Sequence, residues 1–305
     1  MENNFSLNKG SILLLNFFIL NLFSANYLFP KENQDLTITK KNIKEIQLPY
    51  IQHIGLNVNN PVEVANWYIQ NLGMKLIRQG NAPQFVTFIA GAGGNMEMEF
   101  YNKEKFKKID FQKIDVMSFH FAFLTDSIGI IKKKLIDAGA KLVDKITETP
   151  TGDKVAMLRD PWGMPLQLVE RSIPMIKFTK IRPEHFALNS IDARAKAKWY
   201  AENFKMEILR QASAPDFGSF VIDAKKDMMV EIYQKKDFSV IDFYKVDPVS
   251  IHLAFEAKDI IDIKKYLLEN GAQLVHDIME TKSGDNVLSI RDPWGFPIQI
   301  IQKHS

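Results

Sequence analysis

Four of the six histidines in this 305-residue chain carry the first chemical signal. His53, His120, His185 and His252 each open a short strand-like run, and each is followed by a Glu or Gln at nearly constant distance: Glu99, Gln167, Glu231 and Gln299. Neutral imidazole and carboxylate oxygen are ligands for a divalent first-row metal, and an amide oxygen can complete a tetrad. A lone strand histidine is usually structural, but four at one recurrent position point to metal binding over a metal-free pocket. Two sites built within the chain's halves would be His53, Glu99, His120, Gln167 and His185, Glu231, His252, Gln299. His276 and His304 have no counterpart in this pattern and receive no role.

The recurrence comes from a tandem repeat. Adding 132 to any position from 53 to 171 aligns the chain with itself without a gap, and 51 of 119 pairs are identical. Trp67-Tyr68 meets Trp199-Tyr200, Arg78-Gln79 meets Arg210-Gln211, and Arg159-Asp160-Pro161-Trp162-Gly163 meets Arg291-Asp292-Pro293-Trp294-Gly295. A period of this kind marks repeated structural units. It gives two domains, at 49–172 and 181–303, joined by a linker at 172–180.

Each repeat divides again into two halves that read β-α-β-β-β. Asn60-Pro61 caps a helix with Ala65, Tyr68, Ile69 and Leu72 on one face. Asp126 caps the next, with Ile128, Ile131 and Leu135 inward and Gly139 closing it. Alternating runs at Gln84–Ala90, Asn95–Tyr101, Val155–Leu158 and Met164–Glu170 read as strands. On every histidine strand the histidine face is small or polar, as with Gly55 and Asn57 beside His53 and Ala122 beside His120, while the opposite face is bulky and apolar. The bulky face suits packing under a helix, and the small face leaves room for a ligand. Trp67-Tyr68 reads as core, and Asp160-Pro-Trp-Gly163 as a hairpin turn.

Composition excludes other classes. Hydrophobic residues at 46% and charged residues at 25% are those of a globular protein. Zero cysteine removes disulfide frameworks, thiolate metal sites and cysteine nucleophiles. A net charge of +3 without a basic stripe argues against nucleic acid as a partner. The apolar run Ser11–Phe23 is too short to span a bilayer and precedes Ser24-Ala25, so residues 1–25 read as a signal peptide of a secreted or periplasmic protein, with an uncleaved membrane anchor as the alternative. Residues 26–48 read as a polar tether, and the mature chain has no span.

With these residues in place, the chain resembles the vicinal oxygen chelate superfamily of glyoxalase, bleomycin-resistance and dioxygenase proteins. The resemblance rests on His53-Ile-Gly-Leu-Asn-Val, Trp67-Tyr68 with Asn71-Leu-Gly-Met74, Met98-Glu-Phe-Tyr101, His120-Phe-Ala-Phe and Asp160-Pro-Trp-Gly-Met-Pro-Leu-Gln-Leu168. It implies an α+β fold in which two tandem glyoxalase-like domains each form a curved sheet around a cleft from a pair of βαβββ modules, with modules pairing within a repeat or across repeats. It also implies a divalent metal (Zn, Ni, Fe or Mn) held by the eight residues above, and a small-molecule substrate. The family's last ligand is usually Glu, where this chain has Gln167 and Gln299.

The implied chemistry is that of a lyase or isomerase stabilising an enolate or oxyanion, with Glu99 or Glu231 as ligand and base and with Arg78 and Arg210 as candidates to hold a substrate carboxylate. Glu97 is a candidate helper that Met229 replaces in the second repeat. An extradiol-type ring-cleaving dioxygenase and a metal-free sequestering protein are the competing functions.

Overall fold

The computed structural model describes residues 49–304 apart from 95, 177, 179 and 180. The expected signal peptide at 1–25 and tether at 26–48 lie outside the described residues. No described helix is long and apolar enough to cross a membrane.

Four βαβββ modules follow one another. The first comprises β1 (Tyr50–Asn57), α1 (Pro61–Leu72), β2 (Lys75–Gln79), β3 (Thr87–Ala90) and β4 (Glu97–Tyr101). The second comprises β5 (Phe119–Thr125), α2 (Ile128–Asp137), β6 (Lys141–Glu148), β7 (Lys154–Arg159) and β8 (Pro165–Glu170). The third runs through β9 (Ile181–Asn189), α3 (Ala193–Asn203), β10 (Glu207–Gln211), β11 (Ser219–Ile222) and β12 (Met229–Tyr233). The fourth runs through β13 (Ile251–Glu256), α4 (Ile260–Glu269), β14 (Gln273–Glu280), β15 (Asn286–Arg291) and β16 (Pro297–Gln302).

The strands form two open, mixed eight-stranded sheets, ordered β14-β15-β16-β13-β1-β4-β3-β2 and β10-β11-β12-β9-β5-β8-β7-β6. Each sheet therefore joins modules from different repeats: the first with the fourth, and the second with the third. The two sequence repeats at 49–172 and 181–303 are not the two sheets. The connection explains the pairing. Strand β9 runs antiparallel to β5 on the side away from β8. The chain between Glu170 and Ile181 thus crosses two strand spacings, roughly 10 Å, which the ten residues 171–180 span easily.

Each helix packs on its own module's strands. Ile54 and Leu56 of β1 and Met98 and Phe100 of β4 are buried with Tyr68 and Leu72 of α1, as alternation requires. Trp67 and Tyr68 are core residues that also carry polar handles: Trp67 Nε1 donates to Ala138 O (2.8 Å) and the Tyr68 hydroxyl to Asp160 Oδ2 (3.1 Å). Asp160 Oδ1 accepts from Trp162 N and Met164 N, which builds the β7–β8 turn, and Gly163 there has φ +94°.

Three local expectations shift. Ser127, not Asp126, occupies the N-cap position of α2. Asn60 occupies that of α1, but its amide bonds Glu63 rather than a backbone N–H. Strands β3 and β4 start later than the alternating pattern because Phe85 (φ 45°) and Met96 (φ 47°) adopt left-handed backbone, which extended pairing cannot include.

Candidate metal centres

Two rows of side chains cross the first sheet on the face away from the helices. In one row His252, Gly55 and Glu99 are register neighbours, and in the next Gln299, Ala254, His53 and Glu97 are. The second sheet repeats this with His120, Ala187 and Glu231, then Gln167, Ala122, His185 and Met229. The small residues beside each histidine thus lie between the candidate ligands and give the imidazoles room. An added Cβ on Gly55 would collide with the His252 ring.

The rows bring together His53, Glu99 and His252 in one cluster and His120, His185 and Glu231 in the other, with ligand atoms within 4.8 Å of one another. His53 Nε2 lies 3.1 Å from Glu99 Oε2 and 3.1 Å from His252 Nε2, and His252 Nε2 lies 3.7 Å from Glu99 Oε2. In the second cluster His185 Nε2 and His120 Nε2 lie 3.2 and 3.9 Å from Glu231 Oε2. The within-repeat grouping of His53 with His120, and of His185 with His252, is therefore replaced by a cross-repeat grouping, because β1 pairs with β13 and β9 with β5. Gln299 and Gln167 sit in the rows with His53 and His185, and Gln167 Nε2 donates to Met157 Sδ (3.6 Å).

Every imidazole is oriented through Nδ1, so that Nε2 faces the cluster. His53 Nδ1 bonds Gln52 Oε1, and His185 Nδ1 bonds Glu184 Oε2 at 2.9 Å. His120 Nδ1 bonds Val116 O at 3.2 Å, and His252 bonds the equivalent Pro248 carbonyl. Tyr101 and Tyr233 stack on His252 and His120 while their hydroxyls donate to Val249 O and Met117 O. Phe88 and Phe220 set ring edges against His53 and His185.

Electrostatics suit cation binding. Burial, helped by the neighbouring imidazole, pushes His252 down to about 3 and His120 down to about 4, so both are neutral at pH 7. Burial pushes Glu99 and Glu231 upward, but the facing histidines outweigh it, and both carboxyls end below their ordinary value. Burial pulls His185 down, yet its Nδ1 bond to Glu184 and the nearby Glu231 carboxylate outweigh that and raise it. The buried Nε2 atoms of His120 and His185 have no hydrogen-bond partner. Paired imidazoles and a carboxylate around such atoms fit a divalent first-row metal.

The residues behind the two clusters differ. Gln52 joins His53 to Glu97, whose carboxylate accepts from Gln52 Nε2 at 2.8 Å. At the second cluster Glu184 contacts His185 directly and is held by Arg171 in two bonds of 3.0 and 2.7 Å, and Arg171 also reaches Asp153 at 2.9 Å. Burial would raise Glu184, but His185 and Arg171 bring it down to about 2. The expected helper Glu97 therefore connects to His53 only through the Gln52 amide, and Met229 in its place lies in an apolar cluster with Phe220 and Leu124. Simple alternation points Gln52 and Glu184 away from the neighbouring histidine. A β-bulge at each position turns it back.

The two arginines also differ. Arg78 lies exposed on β2 with its guanidinium 4.1 Å over Phe88, and has no ion-pair partner among the described residues. Arg210 on β10 reaches Asp153 at 3.6 Å.

Residues 50–168 match the family model of the Glyoxalase/Bleomycin resistance protein/Dioxygenase superfamily. Among solved structures, glyoxalase I from Zea mays is similar over 83% of this chain and 92% of its own, with a TM-score of 0.67 and 18% identity. A putative dioxygenase from Bacillus subtilis is similar over 85% of this chain and 86% of its own, with a TM-score of 0.60 and 16% identity. Likeness at this identity shows a shared fold. No curated protein sequence gives a significant match.

Proposed function

The chain belongs to the glyoxalase/bleomycin resistance protein/dioxygenase superfamily, and from that premise we propose a metal-dependent lyase or isomerase of glyoxalase type with two centres. The observation that carries this reading is the convergence of two buried imidazole Nε2 atoms on one carboxylate oxygen in each sheet. His53, Glu99 and His252, with Gln299 in the same rows, would hold one metal. His120, His185 and Glu231, with Gln167, would hold the other. A bound divalent ion supplies a Lewis acid for adjacent substrate oxygens.

The chain's own residues supply the remainder. Glu99 and Glu231 face the imidazoles through Oε2, and each carboxylate would also accept a substrate proton. Their side chains keep 16% and 20% exposure, so the carboxylates are reachable while the imidazoles are not. Arg78, which has no ion-pair partner among the described residues, would bind a substrate carboxylate, whereas Arg210 is engaged by Asp153. We also read residues 1–25 as a signal peptide. Outside the cytoplasm a glutathione adduct is scarce, which favours another substrate with adjacent oxygens. N-terminal sequencing of the mature protein tests that reading.

Metal content per chain tests the function. We expect about two divalent ions per wild-type chain. His53→Ala with His252→Ala should remove one, and His53→Ala with His120→Ala both. A metal-free wild type would leave only a sequestering role. The two-histidine, one-carboxylate donor set also suits iron in a ring-cleaving dioxygenase. Ring cleavage lost under anaerobic conditions would favour that second reading.

A further inference from the structure

The first repeat contains a groove at a place where the second repeat has an arginine of its own. A space of about 1090 Å³ lies between the start of α1, the turn at Pro83 and Phe85, and the turn at Pro161 and Trp162. It is on the helix side of the sheet, away from both histidine clusters. Its walls are aromatic, from Trp67, Phe85 and Trp162, and its charged lining residues, Glu63 and Glu104, are both acidic.

The internal repeat shows which chemistry such a place receives. In the second repeat Arg194 stands where Val62 stands in the first, and its guanidinium lies 4.6 Å over the ring of Phe217, the counterpart of Phe85. Phe217 is half-buried there, while Phe85 is 40% exposed. The two acids are particular to the first repeat: Ala195 replaces Glu63 and Lys236 replaces Glu104. The first copy thus has Val62 in place of that arginine and carries two carboxylates in addition. Lys134, on the neighbouring helix, is committed to the carbonyls of Gln70 and Asn71. Asn102, also lining the groove, has a buried Oδ1 with no hydrogen-bond partner.

We propose that this groove binds a small organic cation with an apolar stem, its guanidinium or ammonium head over Phe85 near Glu63 and Glu104, its stem against Trp67 and Trp162. An aromatic face attracts a cation through its quadrupole, and nearby carboxylates add Coulomb attraction. The volume suits one small molecule.

Butylguanidinium tests this by calorimetric titration into the full chain at low salt, with butylurea as a neutral probe of similar shape. Saturable binding of butylguanidinium, at least about tenfold tighter than butylurea, is expected. Val62→Arg should abolish it by supplying the guanidinium from within, and Glu104→Gln should weaken it severalfold. Both positions are outside the core, and circular dichroism checks the fold of each variant. Equal binding of butylurea, wild-type affinity in Val62→Arg, or no saturation at tens of millimolar would each overturn the proposal. Metal content unchanged in Val62→Arg separates this outcome from that of the metal centres.

Discussion

Gly55 and His252 meet across the β1–β13 seam, and the imidazole occupies the volume that any side chain at position 55 would need. The backbone at Gly55 is not in the left-handed region, so the demand for glycine there is steric. Gly55→Ala should therefore displace His252 and remove one metal per chain while sparing the other. Metal analysis of purified Gly55→Ala checks this, and a full complement of two would refute the packing argument. Ala187 is the counterpart in the second sheet, and Ala187→Gly should retain both ions.

Gln52 and Glu184 make the two centres unequal. A carboxylate on the distal nitrogen of a metal-binding imidazole raises ligand basicity, and losing such a partner typically costs about 10–100-fold in affinity. Glu184→Gln should weaken the second centre by that order, and Gln52→Glu should strengthen the first. Competition with a chromophoric chelator resolves the two affinities. Equal wild-type affinities would show that the partner behind the imidazole has no influence here.

Arg171 is 7% exposed and lies between the buried carboxylates of Glu184 and Asp153. Its removal leaves both without their guanidinium, and breaking a buried pair typically costs about 3–5 kcal/mol. Its counterpart Lys303 pairs with Asp285 at 3.3 Å but is 41% exposed, so its loss should cost within about 1 kcal/mol. Urea denaturation of Arg171→Leu and Lys303→Leu measures the difference, and similar midpoints would contradict it.

Asp160 gives the fold a pH dependence. Burial pushes its carboxyl up to about 6, against hydrogen bonds from Met164, Tyr68, Trp162 and Gly163 that favour the charged form. In the second repeat Lys196 reaches the equivalent Asp292 at 2.9 Å, whereas the first has Val64 in that place. The folded chain keeps the Asp160 proton to higher pH than the unfolded chain. The associated stability is thus fully present below about pH 4 and lost as pH rises through about 6. Denaturation between these values should show wild type losing stability relative to Asp160→Asn. Parallel curves would remove Asp160 as the source.

Much of this was legible in the sequence. The repeat, the modules, the small-faced strands and the family resemblance all follow from local patterns. The pairing of modules does not. With 51 of 119 positions identical between repeats, His53 sees nearly the same partner strand whether β5 or β13 lies beside it. The connection at 171–180 and the fit of His252 over Gly55 belong to the assembled sheets. Gln52 and Glu184 escaped for a related reason. Alternation is a property of one strand, whereas a bulge is set by the register between two.

The cross-repeat pairing has a further consequence for how the centres can diverge. A single repeat, released from its twin, would present two half-centres and no whole one. Two such copies could associate, but symmetry would oblige both composite centres to be identical. Covalent fusion lifts that obligation. Every position behind one centre is encoded separately from its counterpart, so a neutral amide can stand in one while a buried anion stands in the other.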